Sequence, residues 1–362
     1  MNTAHPSGRR ACGAYAAGVT GQPEASAAVA ETPAVVAPRA RPGGRRPGDW
    51  GLPVLVALIV AAVAARPVLE DLLGRPAVAN WATVFVSVAM QALPFLVLGV
   101  AVSGAITAFV PTSVFTRLLP RRPALAVPVA AVAGVALPGC ECGSVPIARR
   151  LVDRGVTPAA ALTFLLSAPA INPVVLVATA VAFPGRPSMV VARLVASMVA
   201  AVAVGLIWTA IGKGRLPIRP RPGPDRTGGP RWSLFAATAQ HDFLNAGGFL
   251  VIGAAAAATL QTVVPRAVVD AFAGSGWWSV LALAVLAVVL ALCSEADAFV
   301  AASLKQFSPT AQLAFMVVGP MVDVKLVALQ VGTFGRRFAL VFAPLTFVCA
   351  LAAATLIGSV LL

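Results

Sequence analysis

Charge of either sign is scarce in this chain. Asp and Glu number 13 among 362 residues, charged residues make up 11%, and 59% of the chain is hydrophobic, with a mean hydropathy of +0.89. Soluble domains carry about 25% charged residues, so an ordinary soluble domain is excluded. Histidine is rarer still: His5 and His241 stand too far apart in the chain to read as a His-rich zinc site. Neither H-E-x-x-H nor G-x-x-x-x-G-K-[ST] occurs, which argues against a zinc peptidase and against an ATPase within this chain. The apolar segments hold no His-based or Ser-His constellation, so neither an enzyme activity nor a cofactor is expected. Five cysteines are present, all but Cys12 in or near apolar sequence, and that placement argues against a disulfide framework.

What the chain does have is long apolar runs, the mark of a polytopic membrane protein in the lipid bilayer. The net charge of +14 lies in the N-terminal tail and a few connecting segments, without interleaved aromatics. Such residues mark cytoplasmic loops rather than a nucleic-acid partner. Residues 1–49 are rich in Ala, Pro, Gly and Arg without apolar periodicity and read as a disordered tail. Arg39, Arg41, Arg45 and Arg46 precede the first apolar run, which sets the tail in the cytoplasm. An extra N-terminal transmembrane helix and loop is expected over 50–77, a first membrane repeat over 78–212, a basic cytoplasmic linker over 213–231 and a second repeat over 232–362.

The repeat rests on register. Phe95-Leu96-Val97-Leu98-Gly99 matches Phe249-Leu250-Val251-Ile252-Gly253, Pro111 matches Pro265, and the same offset lays Glu295 on Glu141. After a short deletion, Thr157-Pro158 falls on Ser308-Pro309, Pro169 on Pro320 and Asn172 on Asp323. Secondary transporters are often built this way, with sites near the bilayer midplane formed by broken helices. The expected fold is therefore all-α, a polytopic transmembrane helical bundle of two inverted repeats, each with a re-entrant or broken helix. Inversion depends on whether 124–137 and 277–292 enter and return or cross fully. The re-entrant reading puts Arg117, Arg121, Arg122, Arg149, Arg150 and Arg154 inside with the linker, and Arg66, Arg75, Arg186, Arg193, Arg266 and Lys305 outside. The positive-inside bias favours it over full crossing, although 277–292 is long enough to nearly cross.

The chemistry concentrates in Pro138-Gly139-Cys140-Glu141-Cys142-Gly143-Ser144-Val145-Pro146 and in Ser167-Ala168-Pro169-Ala170-Ile171-Asn172-Pro173. Ionisable residues inside a membrane are costly and point to function, and broken backbone is tolerated there only when buried in protein or lining a wet cavity. Glu141 and Glu295 are expected to face one another, joined by Asn172 and Asp323, as a solute or proton site; the plainer reading makes the carboxylates helix caps. Lys325 needs a buried anion, which Asp323, Asp297 or Glu295 could supply, as a protonation-sensitive gate or as a static pair. Glu141, Glu295, Asp297, Asp323 and Lys325 are thus the candidates for ion coupling. Cys140, Cys142 and Cys293 could converge on one soft ligand, or simply pack. Arg149, Arg150 and Arg154 read as marking the cytoplasmic surface.

Those two motifs, with Gly155 between them, resemble the YraQ-type permease family, which includes the ArsP organoarsenical efflux permeases. The resemblance covers about residues 78–362. It implies a membrane permease in the bacterial cytoplasmic (inner) membrane. Members with an assigned substrate look like exporters of trivalent organoarsenicals, while others are simply predicted permeases, some with a second membrane subunit implied. The thiols would suit trivalent arsenic. The expectation is a secondary exporter of a small-molecule substrate with a role in arsenic resistance. The alternative is a non-transporting scaffold or a subunit of a two-component permease complex. A homo-oligomer is compatible with either.

Overall fold

Sequence without a single charge gives the first described element, a helix over Pro76–Phe109 that is long enough to cross a bilayer. The computed structural model describes residues 76–111, 114, 123–136, 140–215, 230–263 and 276–362. The expected tail over 1–49, all but the last two residues of the extra helix and loop over 50–77, Pro138-Gly139 and most of the basic linker lie outside the described residues.

Among the described residues, all regular structure is helical. The first half comprises α1 (Pro76–Phe109), α2 (Pro123–Ala133) with a 3-10 turn (Gly134–Ala136), α3 (Glu141–Asp153), α4 (Pro158–Ile171), α5 (Pro173–Ala182) and α6 (Pro187–Arg215). The second half repeats the order in α7 (Arg231–Val263), α8 (Trp277–Leu290), α9 (Asp297–Ser303), α10 (Pro309–Val318), α11 (Val324–Phe334) and α12 (Arg336–Leu361). Among the described residues, five stretches are long and apolar enough to cross a membrane: Pro76–Phe109, Pro158–Ala182, Pro187–Ala210, Arg231–Val263 and Arg336–Leu361. Their outward residues, among them Met90, Val177, Leu340 and Val348, are exposed and apolar, as a surface toward lipid requires. The chain is thus a multi-pass membrane protein.

The short helices are a different class. At 1.5 Å per residue, α8 with its 14 residues is about 21 Å long, short of the ~30 Å hydrocarbon core. The same packing recurs in both halves. Helices α2 and α3 lean on α4, and α8 and α9 lean on α10. Helix α4 is buried from Ala159 to Ile171 and α10 from Ala311 to Val318, and a helix apolar all round belongs inside protein. These two helices are the cores around which each half is assembled.

Local sequence chemistry sets the breaks. Asn172 ends α4 and caps α5, its side-chain oxygen accepting from Val175 N at 2.9 Å. Asp323 caps α11 in the same manner, accepting from Leu326 N at 2.6 Å. Ser308 caps α10 by accepting from Ala311 N, and Thr157 occupies the matching position before α4. Each cap satisfies an N–H that a helix start otherwise leaves without a partner. The residues that sequence register pairs therefore stand at equivalent points of the two halves.

Two glycines decide how closely the site-bearing helices approach. A Cβ on Gly99 of α1 would lie 2.4 Å from the Gly143 Cα of α3, and one on Gly253 of α7 would lie 2.7 Å from the Lys325 Cα of α11. Small residues let backbones meet in this way inside membranes. The structure adds that charges placed from sequence are enclosed by protein: Arg193 is wholly buried, and Arg149, Arg150 and Arg154 are 9%, 9% and 6% exposed. Two of the guanidiniums bind other helices, Arg150 Nη2 meeting Asp242 of α7 at 2.8 Å and Arg154 donating to the Val110 and Thr107 carbonyls at the end of α1, while Arg149 pairs with Asp153 of its own helix at 3.0 Å.

The glycine contacts yield a stability prediction. Overpacking a filled core costs about 1–3 kcal/mol, so Gly99→Val and Gly253→Val should each lower the thermal midpoint in detergent. Gly248→Val, where nothing lies within 4 Å of the new Cβ, should leave it in place.

Candidate functional site

Glu141 is the first residue of α3, where a helix N-terminus favours negative charge, and its side chain is fully buried. Its counter-charge comes from the other half: Lys325 Nζ of α11 lies 2.6 Å from Glu141 Oε1. The ammonium directs hydrogen bonds to the Ala291 carbonyl at 2.7 Å and the Leu292 carbonyl at 3.2 Å. It also stands 3.5 Å from Asp323 Oδ2. Ala291 closes α8 in the left-handed region, with φ 46, turning the following carbonyls out of the helix. Lys325 accordingly serves the unbonded C-terminal end of α8, where cations are favoured, and neutralises Glu141. Sequence offered Asp323, Asp297 or Glu295 as the anion for Lys325; the nearest is Glu141 of the other half, with Gly99 letting α1 close on α3 and Gly253 letting α7 close on α11.

A second buried pair lies alongside. Asp297, first residue of α9, is bound at Oδ2 by Arg193 Nη2 of α6 at 2.9 Å. Arg193 also donates to Thr179 Oγ1 at 2.8 Å and to the Ser294 carbonyl at 3.1 Å. The Ser294 hydroxyl in turn donates to Glu141 Oε2 over a long 3.5 Å. Both pairs thus join an acid at a short-helix start in one half to a base in the other half. An unpaired buried charge is far costlier than a paired one, and this crossed arrangement ties the halves together.

The thiols meet at the same place. Cys140 Sγ, Cys293 Sγ and a Glu141 carboxylate oxygen lie within 4.8 Å of one another, and the Cys140 thiol is within hydrogen-bonding reach of both Cys142 and Cys293. All three cysteines are buried and unoxidised. Cys140, Cys293 and Glu141 form the set of donor atoms among the described residues that could hold a soft ion or metalloid.

Each residue singled out from sequence has a defined place. Cys140, Glu141, Cys142, Cys293, Asp323 and Lys325 are brought together in the closed interior. Asn172 is buried at the α4–α5 break, donating to the Ala168 carbonyl and capping Val175. Asp297 belongs to the Arg193 pair. Glu295 is half-buried on the stretch between α8 and α9 and has no ion-pair partner among the described residues. Sequence reasoning gave Ser294 and Thr179 no role and counted Arg193 only as an outside charge. The available signal for Arg193 was an arginine set within an apolar, span-length stretch; its nearness to Arg186 and Pro187 made it look like a loop end.

Comparison with known proteins bears on the whole described bundle. A family model described as "Predicted permease" matches residues 77–359. The chain is 38% identical over 272 residues to UPF0718 protein YcgR of Bacillus subtilis (strain 168), covering 74% of this chain and 92% of that protein. It is 31% identical over 266 residues to a "Putative two-component membrane permease complex subunit" of Streptococcus mutans serotype c, covering 72% and 88%. No solved structure matches.

The thiol geometry predicts a specific crosslink. Mild oxidation of a Cys142→Ser variant should join Cys140 to Cys293, detected by peptide mapping without reductant. A Cys140–Cys349 product instead would contradict the arrangement.

Proposed function

From the premise that the chain belongs to the YraQ/ArsP-type family of predicted permeases, we propose that it is a secondary exporter of a small thiophilic solute, of which a trivalent organoarsenical is the leading case. The observation that carries this reading is the meeting of Cys140, Cys142, Cys293 and Glu141 from both halves in one buried place. Thiolates select soft centres, and a cargo centre held between Cys140 and Cys293 would touch both halves at once. Cys140, Glu141, Cys142, Asn172, Cys293, Glu295 and Asp323 form the substrate site in this reading. Glu141, Glu295, Asp297, Asp323 and Lys325 carry the coupling ion.

The mechanism follows from the crossed pairs. Cargo approaching the thiols disturbs the Glu141–Lys325 contact, and a carboxylate so released can take a proton, which weakens the tie between halves and lets them rock. In this reading the repeats are inverted, with the α2–α3 and α8–α9 segments entering from opposite sides of the bacterial inner membrane and the N-terminus in the cytoplasm. The chain holds no ATP-binding motif, which favours an ion gradient as the driving force.

A second reading is favoured by the name of the Streptococcus relative: the chain is one subunit of a two-component permease complex and acts with a membrane partner.

Accumulation of methylarsenite in an arsenic-sensitive host tests the first reading. Wild type should lower it several-fold, and Cys140→Ser, Cys293→Ser and Glu141→Gln, at matched membrane levels, should abolish the effect. Unchanged accumulation with wild type indistinguishable from Glu141→Gln would sink the exporter reading, and activity that appears only with a co-expressed partner would select the second.

A further inference from the structure

The surroundings of Lys325 are those of a metal-cation site rather than of an ordinary lysine. Four oxygens lie within 3.5 Å of Nζ: Glu141 Oε1 at 2.6 Å, the Ala291 carbonyl at 2.7 Å, the Leu292 carbonyl at 3.2 Å and Asp323 Oδ2 at 3.5 Å. An ammonium has three N–H groups, so the oxygens outnumber the donors; its hydrogen bonds go to the two carbonyls, and Glu141 Oε1 and Asp323 Oδ2 are ion-paired but buried without a hydrogen bond. Two of the four oxygens belong to carboxylates, against one positive charge. The two carbonyls belong to the opened C-terminal end of α8, where Ala291 turns into the left-handed region. Unwound carbonyls at a half-helix end, facing carboxylates, are how transporters bind sodium ions, and hard cations take oxygen ligands of these kinds.

We propose that Lys325 is a tethered cation filling a sodium-type site built from Glu141, Asp323 and the Ala291 and Leu292 carbonyls, so that the native protein has no sodium ion there. The same opened segment is held by a second resident cation, Arg193, which takes the Ser294 carbonyl at 3.1 Å. Together the two side chains occupy the carbonyls that a free ion would otherwise use. Removing the butylammonium arm leaves the two carboxylates and two carbonyls around a space that a small monovalent cation fits. Gly253 fixes the position of that arm, because its backbone contact seats the Lys325 Cα against α7. The proposal stands on geometry; its consequence, export indifferent to sodium, rests on the exporter reading.

Thermal unfolding of the purified protein in detergent tests it, in NaCl and in choline chloride of equal ionic strength. Wild type should unfold at the same temperature in both. Lys325→Ala should be less stable in choline and should gain about 3 °C or more in NaCl, as expected for an ion that binds only the folded state. Adding Glu141→Gln to Lys325→Ala should remove that gain, since it takes away a carboxylate of the site. Lys325→Asn is the second single variant and should show a smaller sodium gain. A sodium-specific shift in wild type overturns the proposal, as does its absence in both single variants, or their failure to accumulate as folded protein in sodium-containing medium. The readout is unfolding, so it stays informative if the chain moves no solute, whereas failure of the exporter reading appears as unchanged accumulation.

Discussion

One ammonium group holds the centre of this protein together. Lys325 is a charge at full burial, and it is tolerable there only because Glu141, Asp323 and two backbone carbonyls surround it. The contact is demanding in both directions. Glu141 would be an uncompensated buried anion without Lys325, and the end of α8 would carry unbonded carbonyls. Because Glu141 belongs to the first half while Lys325 and α8 belong to the second, satisfying these groups and joining the halves are the same event. Arg193 and Asp297 repeat the logic nearby with the partners exchanged, the base now coming from the first half and the acid from the second.

Such contacts need backbone geometry that ordinary membrane helices do not provide. A continuous helix satisfies its own carbonyls and amides and offers nothing to a polar group. Here α3, α5, α9 and α11 begin, and α8 ends, inside the protein, so helix termini with their partial charges are available in the interior. Asn172 and Asp323 quench some of those amides, and the cations quench some of the carbonyls. The short helices can stop there because the breaks lie inside protein, packed on the buried helices α4 and α10. Gly99, Gly143 and Gly253 then remove the side chains that would hold the helices apart.

Much of this was legible in the chain itself. Proline at Pro158, Pro173 and Pro309, preceded by Thr157, Asn172 and Ser308, marks helix starts by local chemistry, and the starts lie where that chemistry puts them. The register between Asn172 and Asp323 survives as a shared capping role. The motif around Glu141 stood out because a carboxylate in apolar sequence has few inexpensive explanations. Harder to see was which acid meets which base. Lys325 has Asp323 two positions away in sequence, yet its closest anion is Glu141, and Arg193 reads as a loop residue until α9 is folded against α5 and α6.

The sequence by itself determined that the chain is helical, that it lives in a membrane, where its helices break and that its costly residues gather near those breaks, because hydropathy, proline geometry and capping act over a few residues. Only the tertiary structure decided that the Glu141–Lys325 and Asp297–Arg193 pairs cross between halves and that Cys140 and Cys293 share one place with Glu141. Pairing of buried charges depends on which backbones the folded chain brings together, and residues as far apart in the chain as Glu141 and Lys325 are matched by no local pattern.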